Sequence, residues 1–202
     1  MFYLLRSERA SREGSANMLR DFQPESAGLQ PQQRFKLVIT MSLGVGLADW
    51  QRQGILKRET VLYRKRCREA TVYLLVPDRT IGPFREALDP IQALPRPWWC
   101  PILLYSLIGP LLHWRVLWGC DEVRCHNGPG VWTSSIAHLL FGGRYVVRFG
   151  FIWSWDMARR GVPIWKLLPV LASEWIACRL ADRIEVAAPR QAEYLRAVHV
   201  VR

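Results

Sequence analysis

Short apolar runs alternate along this chain with longer segments in which apolar and polar residues are mixed. The apolar runs predict strands at 35–42, near Ile91, and at 71–77, 122–126, 145–149 and 183–187. The mixed segments predict helices at about 49–70, 131–141, 164–181 and from 191 onward. Strands that alternate with helices favour one doubly wound parallel sheet, so we expect an α/β, Rossmann-like fold.

The composition changes at about residue 35, and this change sets the expected domain boundary. Residues 1–34 are rich in Ser, Glu, Gln, Arg, Gly and Pro, so we expect a disordered leader outside the fold. Residues 35–202 are expected to form the single folded domain. Within that domain, 78–99 is broken by prolines and 150–163 is rich in Trp and Gly, so both are expected to be mostly loop.

One strongly apolar segment, 98–119, raises the question of a membrane. Its length would suit a spanning helix, but Pro101, Pro110, His113 and Arg115 interrupt it. The strands on either side must also join one sheet. We therefore expect a helix pair that is partly buried and partly docked on a bilayer surface, with tryptophans at headgroup level: Trp98, Trp99, Trp114 and Trp118. A wholly buried helix is the alternative.

The formal net charge of +11 suits an anionic partner. The chain has no RNA-binding signature and no tight Lys/Arg run, and its 10 tryptophans favour sugar or lipid over nucleic acid. An anionic membrane surface is therefore an expected partner, and nucleic acid is not.

The cysteines bear on compartment and on metal binding. They are odd in number and never spaced C-x-x-C, which indicates reduced thiols in the cytoplasm: Cys67, Cys100, Cys120, Cys125 and Cys178. Cys120, Cys125 and His126 lie close in sequence but have no second ligand pair, so we expect no metal site.

A glycine-containing loop, Gly44-Val45-Gly46, follows the first predicted strand. At the carboxyl end of such a strand, glycines let backbone N–H groups approach a phosphate. A tight turn without a ligand is the other interpretation. Asp49 stands where a dinucleotide fingerprint needs its third glycine, and this disfavours a nicotinamide-dependent oxidoreductase.

Three further groups carry candidate chemistry. Arg58 and Glu59 are either cleft residues or an ordinary solvated pair. His126, at the end of a strand, can bond a sugar hydroxyl and move a proton, or it can satisfy a local hydrogen bond. Arg148 offers a fork to phosphate or carboxylate, with aromatic residues such as Trp153 nearby, or it is tied to a neighbouring carboxylate.

Taken in order, these blocks resemble the N-terminal, acceptor half of family 4 GT-B glycosyltransferases. The matching segments are 43–63, 120–130, 145–154 and 181–189. The resemblance implies a donor-phosphate loop at Gly44, Val45 and Gly46, with His126 as the catalytic residue. It also implies a cleft or acceptor wall formed by Arg58, Glu59, Asn127, Arg148 and Trp153.

The resemblance further implies sugar transfer from a nucleotide-sugar, which is the donor substrate, to a glycan, lipid or small acceptor. No other cofactor is implied. In that family a second domain holds the donor, so we expect this chain to be inactive alone. It is either a truncated product or one that works with a separate donor-domain subunit. A cytoplasmic location, peripheral on the inner face of the membrane, goes with this interpretation. The alternative function is a non-catalytic, basic module that binds the membrane surface.

Overall fold

A computed structural model describes residues 3–6, 34–41, 44–126 and 130–199. The strands are β1 Tyr3–Arg6, β2 Phe35–Thr40, β3 Ala70–Val76, β4 Gln92–Pro95, β5 Glu122–His126, β6 Arg144–Phe149 and β7 Arg183–Val186. The α-helices are α1 Leu47–Arg52, α2 Ile55–Arg66, α3 Arg85–Leu88, α4 Ile102–Leu112, α5 Trp114–Leu117, α6 Val131–Phe141, α7 Trp153–Arg159, α8 Ile164–Leu180 and α9 Pro189–His199. A 3₁₀ turn covers Gly82–Phe84.

The strands form one seven-stranded sheet in the order β1-β7-β6-β5-β2-β3-β4. Strands β2 to β7 run parallel, and β1 pairs with β7 in the antiparallel sense. The chain moves outward from β2 to β4, then returns and moves outward from β5 to β7. This is the strand order of a Rossmann-like sheet, and its topological switch point lies between β2 and β5. The predicted α/β fold is confirmed.

The two faces of the sheet carry separate apolar cores. On one face, α1 and α2 pack against β2 and β3, with Trp50 and Leu74 fully buried. On the other, α6, α8 and α9 pack against β5, β6 and β7, with Phe149 and Leu195 fully buried. Strands covered on both faces need apolar residues at successive positions, which is why the sequence shows continuous apolar runs.

Several elements differ from the sequence expectation. The helix expected at 49–70 is two helices, because Gly54 adopts a left-handed φ of 69° between α1 and α2. The segment 78–99 contains the 3₁₀ turn and α3 as well as the expected short strand, β4. The segment 150–163 contains α7, which was expected to be loop.

The leader also needs a correction, because Tyr3–Arg6 is a strand of the sheet and not part of a segment outside it. Its backbone pairs with β7 from Tyr3 opposite Val186 to Arg6 opposite Arg183. An edge strand is held by backbone hydrogen bonds, and four residues give too short a pattern to indicate one. The rest of the expected leader, 7–33, lies outside the described residues.

The apolar segment 98–119 forms the helix pair α4 and α5. Tyr105 and Ser106 on α4 are buried, whereas Trp98 and Trp118 at the two ends of the segment are largely exposed. None of the described helices combines the length and the hydropathy needed to cross a bilayer. The segment is therefore neither wholly buried nor a spanning helix.

Candidate functional site

The predicted site residues lie where β2 and β5 end, at the switch point of the sheet. Strand β2 ends at Thr40 and β5 ends at His126, and α6 starts just beyond, after Gly130. A Cβ on Gly130 would lie 2.6 Å from the carbonyl oxygen of Met41. Only glycine therefore lets the start of α6 approach the end of β2 this closely.

The loop Gly44-Val45-Gly46 turns the chain from β2 into α1, with Gly44 at a left-handed φ of 77°. The N–H of Gly46 donates to Oδ2 of Asp49 at 2.8 Å, and the N–H of Leu47 donates to Oδ2 of Asp78 at 2.8 Å. These amides would be the natural donors to a phosphate. Two carboxylates already accept from them, so a phosphate would have to compete with both.

The hydrogen bond from Gly46 holds the pKa of Asp49 below its ordinary value. This carboxylate therefore stays ionised at neutral pH, next to the loop that was predicted to hold donor phosphate. The phosphate-binding role of Gly44, Val45 and Gly46 stays a prediction. The hydrogen bonds around Gly46 favour the alternative interpretation, a capped strand-to-helix turn.

Glu59 is almost completely buried, with 1% of its surface exposed, and it joins two arginines. Oε2 of Glu59 accepts from Nη1 of Arg148 at 2.9 Å, and Oε1 accepts from Nη2 of Arg58 at 2.9 Å. Arg148 is mostly buried at the end of β6, whereas 70% of the Arg58 side chain is exposed. The carboxylate expected to neighbour Arg148 is therefore Glu59, from a different element.

The charge state of Glu59 follows from these partners. Burial alone would raise the pKa of this carboxyl group. The charges of His126 and Arg148 and the hydrogen bonds from Arg58 and Arg148 outweigh burial, and the pKa lies below its ordinary value. Because His126 is itself neutral at pH 7, the two guanidinium groups provide the stabilising charge there. Glu59 is thus ionised at neutral pH and holds Arg58 and Arg148 through hydrogen bonds.

His126 is buried against aromatic side chains from the helices that follow β2. Its Nδ1 is hydrogen-bonded to the Tyr63 hydroxyl at 3.0 Å, and its ring centroid lies 4.9 Å from that of Trp50. Nδ1 also lies 3.9 Å from Oε2 of Glu59. Burial lowers the pKa of His126 to about 4, against the attraction of the Glu59 carboxylate. The neutral imidazole is held in one orientation, which suits a hydrogen-bonding role better than proton donation at pH 7.

Burial raises the pKa of Tyr63 above its ordinary value, so the phenol stays protonated throughout the physiological range. Tyr63 lies one helical turn after Glu59, which puts both side chains on the same face of α2. That spacing is the signal by which sequence reasoning could have found Tyr63. Trp50 is harder to find from the sequence, because α1 is too short to show a clear helical periodicity.

A second charged group continues from the site along the same face of β5. Arg124 donates to Oε1 of Glu122 at 2.9 Å and to Oε2 of Glu185 at 3.0 Å, and all three side chains are mostly buried. Arg183 also lies 3.3 Å from Glu185. Because residues two apart in a strand share a face, Glu122, Arg124 and His126 point to the same side of the sheet. The opposite side of β5 is apolar, with Val123 and Cys125 fully buried.

Two predicted site residues remain, Trp153 and Asn127. Trp153 is the first residue of α7 and is half-buried, with its ring centroid 4.9 Å from that of Phe151. Asn127 lies outside the described residues. Within those residues, no cluster of His, Cys, Asp or Glu has the make-up of a metal centre.

Sequence reasoning missed a second buried polar cluster, which joins α7, α8 and α9. The Ser154 N–H donates to Oε1 of Glu174 at 3.1 Å, and the Ser154 hydroxyl donates to Oε2. The Tyr194 hydroxyl lies 3.0 Å from Oγ of Ser154, and Nε2 of His199 lies 3.5 Å from Oε2 of Glu174. Ser154 and His199 both lie against the carboxylate of Glu174 and not against each other. In a catalytic pair the nucleophile would be hydrogen-bonded to its base, so this is not such a pair.

Comparisons with models of protein families, with curated proteins and with solved structures found no match to this chain. The α/β, Rossmann-like fold therefore rests on the strand order alone. The charged and aromatic group at the switch point rests on the distances given above.

Proposed function

We propose that this chain is the acceptor-side domain of a glycosyltransferase, acting on a nucleotide-sugar and a glycan, lipid or small acceptor. One observation carries the proposal: Glu59, His126 and Arg148 come from separate elements and meet at the switch point of a Rossmann-like sheet. Ligands of open α/β sheets bind in the crevice at that point. The sequence blocks that resemble the glycosyltransferase family contribute these same residues.

In the proposed reaction, an acceptor hydroxyl oxygen bonds to the anomeric carbon of the donor sugar. The bond from that carbon to the diphosphate breaks, the nucleoside diphosphate leaves with the electron pair, and the hydroxyl proton passes to solvent or to a base. His126 contributes a neutral, oriented imidazole that hydrogen-bonds an acceptor hydroxyl. Glu59 and Arg148 hold the wall of the site in position, and a separate domain holds most of the donor.

Titration of the ¹⁵N-labelled chain, followed by NMR, tests the proposal. A panel of saccharide and lipid-linked saccharide acceptors should shift the indole resonance of Trp50 and the ring resonances of His126. His126→Gln should weaken acceptor binding by about two- to tenfold, the value of one hydrogen bond. Nucleotide-sugars should bind the chain alone no better than about millimolar, the affinity range of a few weak contacts.

Asp156→Asn is the matched control, because Asp156 on α7 forms an exposed ion pair with Arg160, the residue that follows this helix. It should leave acceptor binding unchanged. Micromolar binding of a nucleotide-sugar by the chain alone would contradict the assignment to the acceptor side. A panel that shifts neither Trp50 nor His126 would contradict sugar transfer altogether.

A non-catalytic module on the inner face of the membrane is the second candidate, and exposed tryptophans such as Trp98 favour it. Such a module would bind vesicles but no saccharide at the switch point. The two functions therefore differ in one measurement, the acceptor titration. Both proposals include a cytoplasmic location, consistent with free thiols at Cys67, Cys100, Cys120, Cys125 and Cys178.

A further inference from the structure

Helices α4, α6 and α8 lie side by side as one layer over the sheet. The Thr133 hydroxyl on α6 donates to the carbonyl of Ser106 on α4 at 2.8 Å, and Trp132 Nε1 on α6 donates to Oγ of Ser173 on α8 at 3.0 Å. The short helix α5 continues the layer, because Trp118, just beyond it, packs against Phe141 at 6.4 Å. We call the solvent side of α4, α5, α6 and α8 the outer helical face.

The outer helical face is mainly apolar. Most of the large hydrophobic side chains exposed in the described residues lie on it or at its ends: Trp98, Trp99, Leu103, Leu104, Leu107, Leu111, Trp114, Trp118, Leu139, Leu140, Ile164, Trp165, Leu168 and Trp175. Exposure reaches 78% at Trp98 and 67% at Leu103. On α4 the exposed leucines fall at i, i+1, i+4 and i+8, which is a single stripe. A contiguous exposed apolar surface of this kind marks an interaction site.

The charges of the outer helical face have one sign. Helices α4, α5 and α6 contain no Asp or Glu, and the one carboxylate of α8, Glu174, is 1% exposed. Three cations lie over exposed tryptophan rings: Arg115 at 5.6 Å from Trp114, Lys166 at 5.0 Å from Trp165 and Arg179 at 5.6 Å from Trp175. The face therefore attracts anions and offers apolar and aromatic side chains to them.

We propose that the outer helical face binds the surface of an anionic lipid bilayer. Tryptophan and its neighbouring Lys or Arg suit the headgroup level, where one end of the side chain is apolar and the other is polar. The leucine stripe of α4 reaches the acyl boundary, and the cations meet the phosphates. A second copy of the chain fits this face poorly. In a symmetric dimer the cations of one face would lie against the cations of the other, with no exposed carboxylate to pair with them.

Vesicle flotation of the full chain tests the proposal with two lipid compositions, phosphatidylcholine alone and a mixture with about one-third phosphatidylglycerol. Binding should be stronger to the anionic vesicles and should weaken as salt is raised. Leu103→Gln with Leu107→Gln should lower partitioning into both vesicle types by about tenfold or more. Lys166→Gln with Arg179→Gln should lower binding to the anionic vesicles by about fivefold for each cation removed.

Matched controls come from α2, on the other face of the sheet. Val61→Gln with Leu62→Gln removes two apolar side chains that are each 44% exposed, and Lys57→Gln with Lys65→Gln removes two exposed cations. Both controls should bind vesicles as the parent does. Circular dichroism checks that every variant is folded, and all substitutions are at exposed positions.

Three results would overturn the proposal. In the first, the parent chain does not float with anionic vesicles. In the second, the α2 controls lose as much binding as the variants of the outer helical face. In the third, sedimentation shows a dimer that the double variant Leu103→Gln with Leu107→Gln dissociates, and the face is then assigned to a second copy. The inference does not rest on sugar transfer, because the acceptor titration reports on the switch point and flotation reports on this face.

Discussion

Oε2 of Glu59 lies 2.9 Å from Nη1 of Arg148, so a buried charge pair ties helix α2 to the carboxyl end of strand β6. The two residues are 89 positions apart in sequence. Because each charge satisfies the other, neither acts as an isolated ligand-binding group. An anionic ligand at the switch point would compete with Glu59 for Arg148, whereas a neutral sugar hydroxyl would leave the pair intact.

Replacing Glu59 with Gln removes the carboxylate that pairs with the mostly buried guanidinium group of Arg148. We expect the free energy of unfolding, measured in urea, to fall by about 2–3 kcal/mol. Asp156→Asn removes one partner of an exposed pair with Arg160 and should cost less than about 1 kcal/mol. Equal losses in the two variants would show that the Glu59–Arg148 pair contributes no more than a surface ion pair.

Acidification should destabilise the protein through His126. Its pKa is about 4 in the folded chain and 6.5 ordinarily, so between these values only the unfolded chain binds the proton. The contribution of neutral His126 is therefore fully present above about pH 6.5 and is lost as the pH falls to about 4. Over that window it amounts to about 3 kcal/mol. The pKa of Glu59 is lowered from its ordinary value of 4.5, so its contribution is fully present above about pH 4.5 and is lost as the pH falls below that value.

Urea unfolding at a series of pH values measures this dependence, and His126→Gln should flatten it. Burial also lowers the pKa of His113, so His113→Gln is the informative comparison. That variant should keep the part of the slope that belongs to His126. If the two variants have the same pH profile, the dependence does not arise at the switch point.

Continuous apolar runs predict β2, β3 and β6, because a strand buried on both faces needs apolar residues at successive positions. In β5 and β7 apolar residues alternate with charged ones. The parallel sheet was predicted from the alternation of strands with helices. Helix α7 was not predictable from local sequence. The carboxylate that accepts its Ser154 N–H comes from Glu174, 20 positions later. Strand β1 was missed for a similar reason, since its partners are backbone groups of β7.

In the candidate site, too, some residues could be predicted from the sequence and others could not. Position at the end of a strand was enough to select His126 and Arg148, because the carboxyl ends of parallel strands share one edge. The sequence could not show that Tyr63 bonds to His126, since these residues are 63 positions apart. Nor could it show that Glu59 is buried, because an Arg-Glu pair on a helix is usually solvated.

The approach of α6 to β2 gives a prediction about backbone geometry. In Gly130→Ala, the new Cβ would lie 2.6 Å from the carbonyl oxygen of Met41, and a backbone atom cannot move aside cheaply. We expect a loss of about 1–3 kcal/mol in the free energy of unfolding. Gly82→Ala is the control, because nothing lies within 4 Å of its added Cβ, and it should change stability by less than about 0.5 kcal/mol. Equal stabilities would show that β2 and α6 separate easily.

The buried carboxylate of Glu174 should hold α7 in place. Glu174→Gln removes the charge that faces His199 and replaces one of the two oxygens that accept from Ser154 with a donor. We expect a loss of about 2–4 kcal/mol in the free energy of unfolding, and faster hydrogen exchange of the amides of α7. Glu193→Gln, at an exposed position of α9, should change neither quantity by more than about 0.5 kcal/mol. If exchange in α7 is unchanged in Glu174→Gln, the helix is held by its aromatic packing and not by this carboxylate.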